Sequence, residues 1–124
     1  MFLGIFTCLA GIAVVFHTAV RQRNAPAVVN TCVSFLLVFI PVLVDVIAYW
    51  FHGIRVGLTP ELPLWIAVTG LFHSYGMLGP YDEISWWDHL THALSAALVA
   101  ALLYAGVIVT LEHAPVSSGK RLIW

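Results

Sequence analysis

Charged residues are scarce in this sequence. Its 124 residues include only five Lys and Arg and six Asp and Glu, so that 9% of the chain is charged, against about 25% in an ordinary soluble domain. Hydrophobic residues make up 61%. Because so little polar surface cannot cover a water-soluble fold, the composition predicts an integral membrane protein. The five basic residues are spread over several segment ends and form no patch, so we expect no nucleic-acid partner.

Cysteine and N-terminal positive charge are also nearly absent. Cys8 and Cys32 both lie inside apolar segments without metal-binding spacing, which predicts free, packed thiols. No Lys or Arg precedes the first apolar segment, whereas Arg21 and Arg23 follow it. A cleavable secretory signal has the opposite order of charge. We therefore expect the first segment to be retained as a helix.

Long apolar runs carry the hydrophobic excess. Four segments have the composition of membrane-spanning helices: about 2–20, 27–51, 64–79 and 88–111. Polar or Gly/Pro-rich connections separate them, and Pro41 should kink the second. The sequence thus predicts an all-α, polytopic membrane protein, a four-transmembrane-helix bundle in one domain, 1–124. We expect a multi-pass protein of the cell membrane, with the lipid bilayer as its main partner.

Ionisable side chains gather near one face of this bundle, here called the near side, where the first segment ends and the fourth begins. At about 1.5 Å rise per residue, His17, His73 and His92 lie roughly 5–9 Å inside three different segments, and Asp88 lies at the boundary. At about 100° per residue, Asp88 and His92 share one stripe, with His89 at its edge. The sequence predicts a polar cluster of His73, Asp88, His89 and His92, with His17 as a secondary member.

Two carboxylates lie outside this layer. Asp45 is about 27 Å from the near-side start of its segment, close to the opposite, far side and to His52 and Arg55. It is therefore either a structural partner of those two residues or a functional group of its own. Asp82 lies in the loop that precedes the fourth segment. We regard Asp45 and Asp82 as secondary polar candidates.

The cluster contains residue types that suit several kinds of chemistry. Imidazole and carboxylate groups are ligands for zinc and related divalent ions, although Asp-His-x-x-His differs from the His-Glu-x-x-His pattern of zinc enzymes. Two histidines can instead ligate haem or relay protons. The structural alternatives are a hydrogen-bonded strut that orients the helices and a helix N-cap at Asp88. No reaction follows from the pattern, and these alternatives stay open.

The fourth segment also carries alanine at four-residue spacing, at Ala93, Ala97, Ala101 and Ala105. Small residues at this spacing let another helix approach closely, so we expect the stripe to pack. A small chain with little surface outside the membrane fits an accessory or scaffold subunit of a larger membrane complex, or a homo-oligomer. A lipid- or small-molecule-binding protein, with the aromatic near-side loop as a lid, is a further alternative.

One stretch supports a resemblance. The block LFHSYGMLGPYDEISWWDHLTHALSAALVAALLYAG, and WWDHLTH most sharply, resembles a group of small archaeal, chiefly halophilic, membrane proteins and more distantly the YjdF-type inner-membrane family. The resemblance implies a polytopic membrane protein of unestablished activity with polar residues at helix ends, here Asp82, Asp88, His89 and His92. Members often continue into a further hydrophobic helix with acidic residues. This chain stops at RLIW, which suggests a truncated or shorter variant.

Overall fold

The protein is helical throughout the part that the computed structural model describes, residues 2–53, 55–56, 58–59 and 61–113. The helices are α1 (Phe2–Arg21), α2 (Ala25–Leu37), α3 (Ile40–His52), α4 (Glu61–Gly76), α5 (Pro80–Glu83) and α6 (Trp87–His113). No strand occurs among these residues, and the predicted all-α membrane fold is confirmed. The segment after His113, which contains the RLIW sequence, lies outside the described residues.

The described residues contain two or three candidate membrane crossings, so the predicted number of four is not confirmed. Within the described residues, α1 and α6 are each long and apolar enough to cross a membrane, and α2 with α3 forms a third span if the bent pair is counted as one. Helix α4 has 16 residues, which corresponds to about 24 Å against a hydrocarbon core of about 30 Å. It is therefore shorter than a standard membrane-spanning helix.

The predicted second helix, 27–51, is two helices rather than one. Helix α2 ends at Leu37, α3 begins at Ile40, and their axes differ by 41°. Pro41 is the cause, because it has no N–H to donate to the carbonyl of Leu37 and its ring clashes with that carbonyl in a continuous helix. The kink expected at this proline is therefore present as a complete break in the helix.

The connection between α1 and α2 is a compact capping structure. The backbone N–H of Asn24 donates to the Ala19 carbonyl, and the backbone N–H of Arg23 donates to the Val20 carbonyl. This is the hydrogen-bond pattern of a Schellman motif. Arg23 has the left-handed conformation, φ 55°, which this motif requires. Asn24 then caps α2, since its Oδ1 accepts from the amide of Ala27 at 3.1 Å. The chain thus reverses within a few residues at the near side.

Helix α4 is the centre of the fold and packs against α1, α2 and α6. Small residues allow the close approach: a Cβ placed on Gly70 would lie 2.7 Å from the Cβ of Ser34 on α2. Ile66 and Ala67 of α4 form a buried apolar cluster with Val38. A short and glycine-containing helix therefore occupies the middle, while the longer helices face the surroundings.

Most of the alanine stripe of α6 does not pack against the rest of the described chain. Ala93, Ala97 and Ala101 are exposed and Ala105 is half-buried, whereas Leu98 is half-buried and contacts the apolar cluster of α4. The packing of the stripe against a further helix stays a prediction. The face that α6 turns toward the hairpin carries Ser95, which bonds to His73 of α4, and Thr91, which bonds to Tyr81 of α5.

Candidate functional site

The near-side site is built on the hairpin formed by α4, the short helix α5 and α6. Helix α4 ends at Gly76, where an added Cβ would lie 2.6 Å from both the indole nitrogen of Trp87 and Cε2 of Tyr81. Only glycine fits this contact without a shift of an aromatic ring. The close approach brings Tyr81, at the turn, and the first turns of α6 over the last turns of α4.

His73 lies at the centre of the site and uses both ring nitrogens. Its Nε2 is 2.8 Å from the hydroxyl of Ser95 on α6, and its Nδ1 is 2.7 Å from the hydroxyl of Tyr81. The side chain is partly buried. The His73 side chain therefore faces the hairpin, and hydroxyl groups are its direct partners.

The hydroxyl groups continue the network along the start of α6. Tyr81 donates to Thr91 Oγ1 at 3.0 Å, and Thr91, which is fully buried, donates to the carbonyl of Asp88 at 3.0 Å. Ser95 donates to the carbonyl of Thr91 at 2.9 Å. His73, Tyr81, Thr91 and Ser95 thus form a closed inner cluster across the hairpin.

Asp88 and His92 form an outer pair beside this inner cluster. Nδ1 of His92 lies 3.2 Å from Asp88 Oδ1 and 2.9 Å from the Asp88 carbonyl, so this nitrogen carries the proton and donates. The side chains are 73% and 58% exposed, and such an exposed pair contributes little stability. The His92 and His73 ring centroids are 6.4 Å apart, a separation that one water molecule can bridge.

Aromatic rings cover the near-side end of the hairpin. Trp87 stacks on Phe72 with centroids 5.5 Å apart, and its indole N–H donates to the Phe72 carbonyl at 3.4 Å. The Tyr75 ring meets the same indole edge-on, and the Trp86 ring meets it at a tilt. Trp86 is exposed, as an aromatic anchor at a membrane interface would be, whereas Trp87 packs onto α4.

The remaining sequence-predicted residues lie apart from the cluster. His17 is exposed on α1, and His89 and Asp82 are exposed on α6 and α5; none of the three shares a hydrogen bond with the inner cluster within the described chain. Asp45 is at the far side, where its Oδ1 accepts from the amide of Val56 at 2.9 Å. The structure therefore brings together His73, Asp88 and His92 only.

A second polar contact lies on the opposite face of α4. Asn30 of α2 donates to the hydroxyl of Ser74 at 3.0 Å, and Ser34 is 3.5 Å from the same hydroxyl. Ser74 is fully buried and is the direct neighbour of His73. The near-side half of α4 is thus fixed by side-chain hydrogen bonds to both α2 and α6.

Sequence reasoning missed two members of the inner cluster. These are Tyr81, in the loop that precedes the fourth segment, and Thr91, within that segment. A signal for Thr91 exists, because it precedes Ser95 by one helical turn and both point toward the hairpin partner. Nothing in the sequence indicates that the Tyr81 hydroxyl reaches His73 rather than lipid headgroups, because the angle of α5 decides this.

The geometry bears on the metal hypothesis as well. Among the described residues, no group of three or more His, Cys, Asp and Glu side chains is arranged to hold a metal ion. His73 would have to release one of its hydroxyl partners to become a ligand, and Asp88 with His92 supplies only two groups. The observed arrangement is that of a hydrogen-bond network.

Comparison with known proteins places the chain in a family. The family model described as "Predicted membrane protein (DUF2238)" matches residues 3–123. No curated protein and no protein of solved structure gives a match. Since the family match spans nearly the whole sequence, the chain belongs to this family of predicted membrane proteins.

Proposed function

We propose that the near-side cluster is a proton-binding site, with His73 as the group that takes up the proton and Asp88 and His92 as its connection to the surface. The observation that carries the proposal is the number of hydrogens in the inner cluster. Each of its hydrogen bonds needs one hydrogen, and the neutral cluster has fewer hydrogens than bonds.

The bonds join His73 to Ser95, His73 to Tyr81, Tyr81 to Thr91, Thr91 to the Asp88 carbonyl and Ser95 to the Thr91 carbonyl, five in all. The three hydroxyls and a neutral imidazole supply one hydrogen each. One of the five contacts must therefore lack a hydrogen. Protonation of His73 adds the missing one, on Nδ1, and every contact then becomes a hydrogen bond.

The outer pair gives the proton a route. The Asp88 carbonyl accepts from Thr91 of the inner cluster and also lies 2.9 Å from Nδ1 of His92. The Asp88 carbonyl therefore links the Thr91 hydroxyl of the inner cluster to the exposed pair of Asp88 and His92. The exposed His92 ring exchanges protons with water, and the hydroxyls of Ser95 and Tyr81, which occupy both ring nitrogens of His73, pass them on to that ring.

Replacement of Tyr81 by Phe tests the proposal. In Tyr81→Phe the neutral cluster has a hydrogen for every remaining bond, whereas a protonated His73 would have an Nδ1–H without its partner. We expect the variant to bind the proton about tenfold more weakly, the equivalent of one lost hydrogen bond of ~1.4 kcal/mol. Nitrogen NMR of labelled histidine in purified, detergent-solubilised protein measures the titration of His73 directly.

Tyr75→Phe is the matched control, because Tyr75 is an exposed tyrosine of the same hairpin whose ring contacts Trp87. It should titrate like the wild type. Identical titration of His73 in Tyr81→Phe and wild type would leave the cluster as a structural strut. Stoichiometric zinc in the purified wild type that is lost in His92→Ala would replace the proton site by a metal site.

Two finer assignments belong to the same proposal. The likeness of WWDHLTH to small archaeal membrane proteins and to the YjdF-type family supports a relationship within the wider family of membrane proteins. The apolar helices support a multi-pass location in the cell membrane. Alkaline extraction of membranes that contain the protein should leave it in the membrane pellet, and release into the supernatant would contradict this location.

A further inference from the structure

A groove at the far side, remote from the proton-binding site, separates α1 from α3. Its volume is about 500 Å³, within the roughly 300–1,000 Å³ of small-ligand sites. Phe2 and Phe6 of α1 and Val42 of α3 are among the apolar residues that form its walls. Among its described lining residues, only Asp45 and Thr59 are polar. The walls of the groove are therefore apolar, as a hydrocarbon chain requires, and Asp45 places a carboxylate at one end of the groove.

A smaller cavity of about 200 Å³ adjoins this end. Asp45 lines both cavities, and in the smaller one it is joined by Tyr49, Trp50 and Arg55. The guanidinium carbon of Arg55 lies 5.5 Å from the centroid of the Tyr49 ring, within the range of a cation–π contact. An acid, a base and two aromatic rings thus surround one opening.

The end of α3 explains why these groups meet. Gly53 has a left-handed conformation, φ 67°, and its amide donates to the Tyr49 carbonyl, which stops the helix and reverses the chain. The reversal places the amide of Val56 2.9 Å from Asp45 Oδ1 and holds Arg55 over Tyr49. Because Asp45 lines both cavities, its carboxylate meets the head of a ligand that is placed at this opening.

We propose that this groove binds a phospholipid whose head carries a primary ammonium group, as in phosphatidylethanolamine. The ammonium donates to Asp45, and the phosphate pairs with Arg55. One acyl chain runs along the groove toward Leu9 and Val38, which line its deeper part. Charge complementarity decides the head: an anionic lipid would meet Asp45 with repulsion, and a quaternary ammonium has no hydrogen to donate.

Native mass spectrometry of delipidated, detergent-purified protein tests the proposal with three lipids of equal acyl chains: phosphatidylethanolamine, phosphatidylcholine and phosphatidylglycerol. We expect the wild type to retain phosphatidylethanolamine about threefold better than the other two, the preference that a partly screened ion pair gives. Asp45→Asn should abolish the preference. Arg55→Gln should weaken the binding of all three, because each carries a phosphate.

Asp82→Asn is the matched control, since Asp82 is an exposed carboxylate at the opposite side, and it should keep the wild-type preference. Val42→Trp fills the groove without touching the charges and should reduce binding of every lipid, which provides a second test if Asp45→Asn is not recovered folded. Equal retention of the three lipids by the wild type, or an unchanged preference in Asp45→Asn, would overturn the proposal.

Discussion

Asn24 joins three parts of the near side, and its replacement should show how much that junction contributes. Its Oδ1 caps α2 through the amide of Ala27, and its Nδ2 donates to the carbonyl of Met77 at 2.8 Å, just beyond the end of α4. The side chain is half-buried. One residue therefore fixes the start of α2 and binds the end of the central helix to it.

The two bonds can be removed one at a time. Asn24→Ala loses both, at ~1 kcal/mol for the cap and ~1 kcal/mol for the partly buried bond to Met77, so we expect a loss of about 2 kcal/mol. Asn24→Asp keeps an oxygen that caps the helix and places a negative charge at its N-terminus, which is favourable. It loses the donor to Met77 and places an oxygen opposite that carbonyl, a repulsion that the favourable charge at the helix N-terminus offsets, so we expect a loss of about 1 kcal/mol.

Reversible unfolding in mixed micelles of mild and denaturing detergent measures these differences as free energies. The expected order of stability is wild type, then Asn24→Asp, then Asn24→Ala. Equal losses for the two variants would mean that the cap contributes nothing and that the bond to Met77 carries the whole effect. Wild-type stability in Asn24→Ala would refute the proposed junction altogether.

Three further substitutions follow from the packing. Gly76→Ala should lower stability by ~1–3 kcal/mol in the same assay, because its Cβ meets Trp87 at 2.6 Å; an unchanged stability would show that the hairpin adapts. Leu98→Ala should cost ~1–2 kcal/mol because Leu98 is half-buried, whereas Ala97→Leu should be tolerated, and the reverse order would place a partner on the alanine face. Arg23→Gly should gain up to ~1 kcal/mol by removing left-handed strain, and a loss would assign the arginine a binding role.

The sequence predicts the class of fold well but not the rotation of its helices. Apolar length and scarce charge are sufficient to predict an all-α membrane protein, and Pro41 marks the break between α2 and α3. The face of α6 that packs within this chain is not evident from the sequence, because lipid is as apolar as leucine and a membrane helix has no solvent-facing side to reveal its orientation. That face carries the hydroxyls of Thr91 and Ser95, which bond to Tyr81 and His73.

The site can likewise be predicted in part: the depth of its residues in the membrane follows from the sequence, but the direction of their side chains does not. Counting residues along the helices predicts that His73, Asp88 and His92 lie at similar depth, and the structure places the two histidine rings 6.4 Å apart. Counting does not predict Tyr81, which reaches His73 only because Gly76 lets the short helix α5 fold against α4. Since the Tyr81 hydroxyl supplies the contact that lacks a hydrogen in the neutral cluster, the proposed proton binding depends on a glycine, a residue that has no side chain.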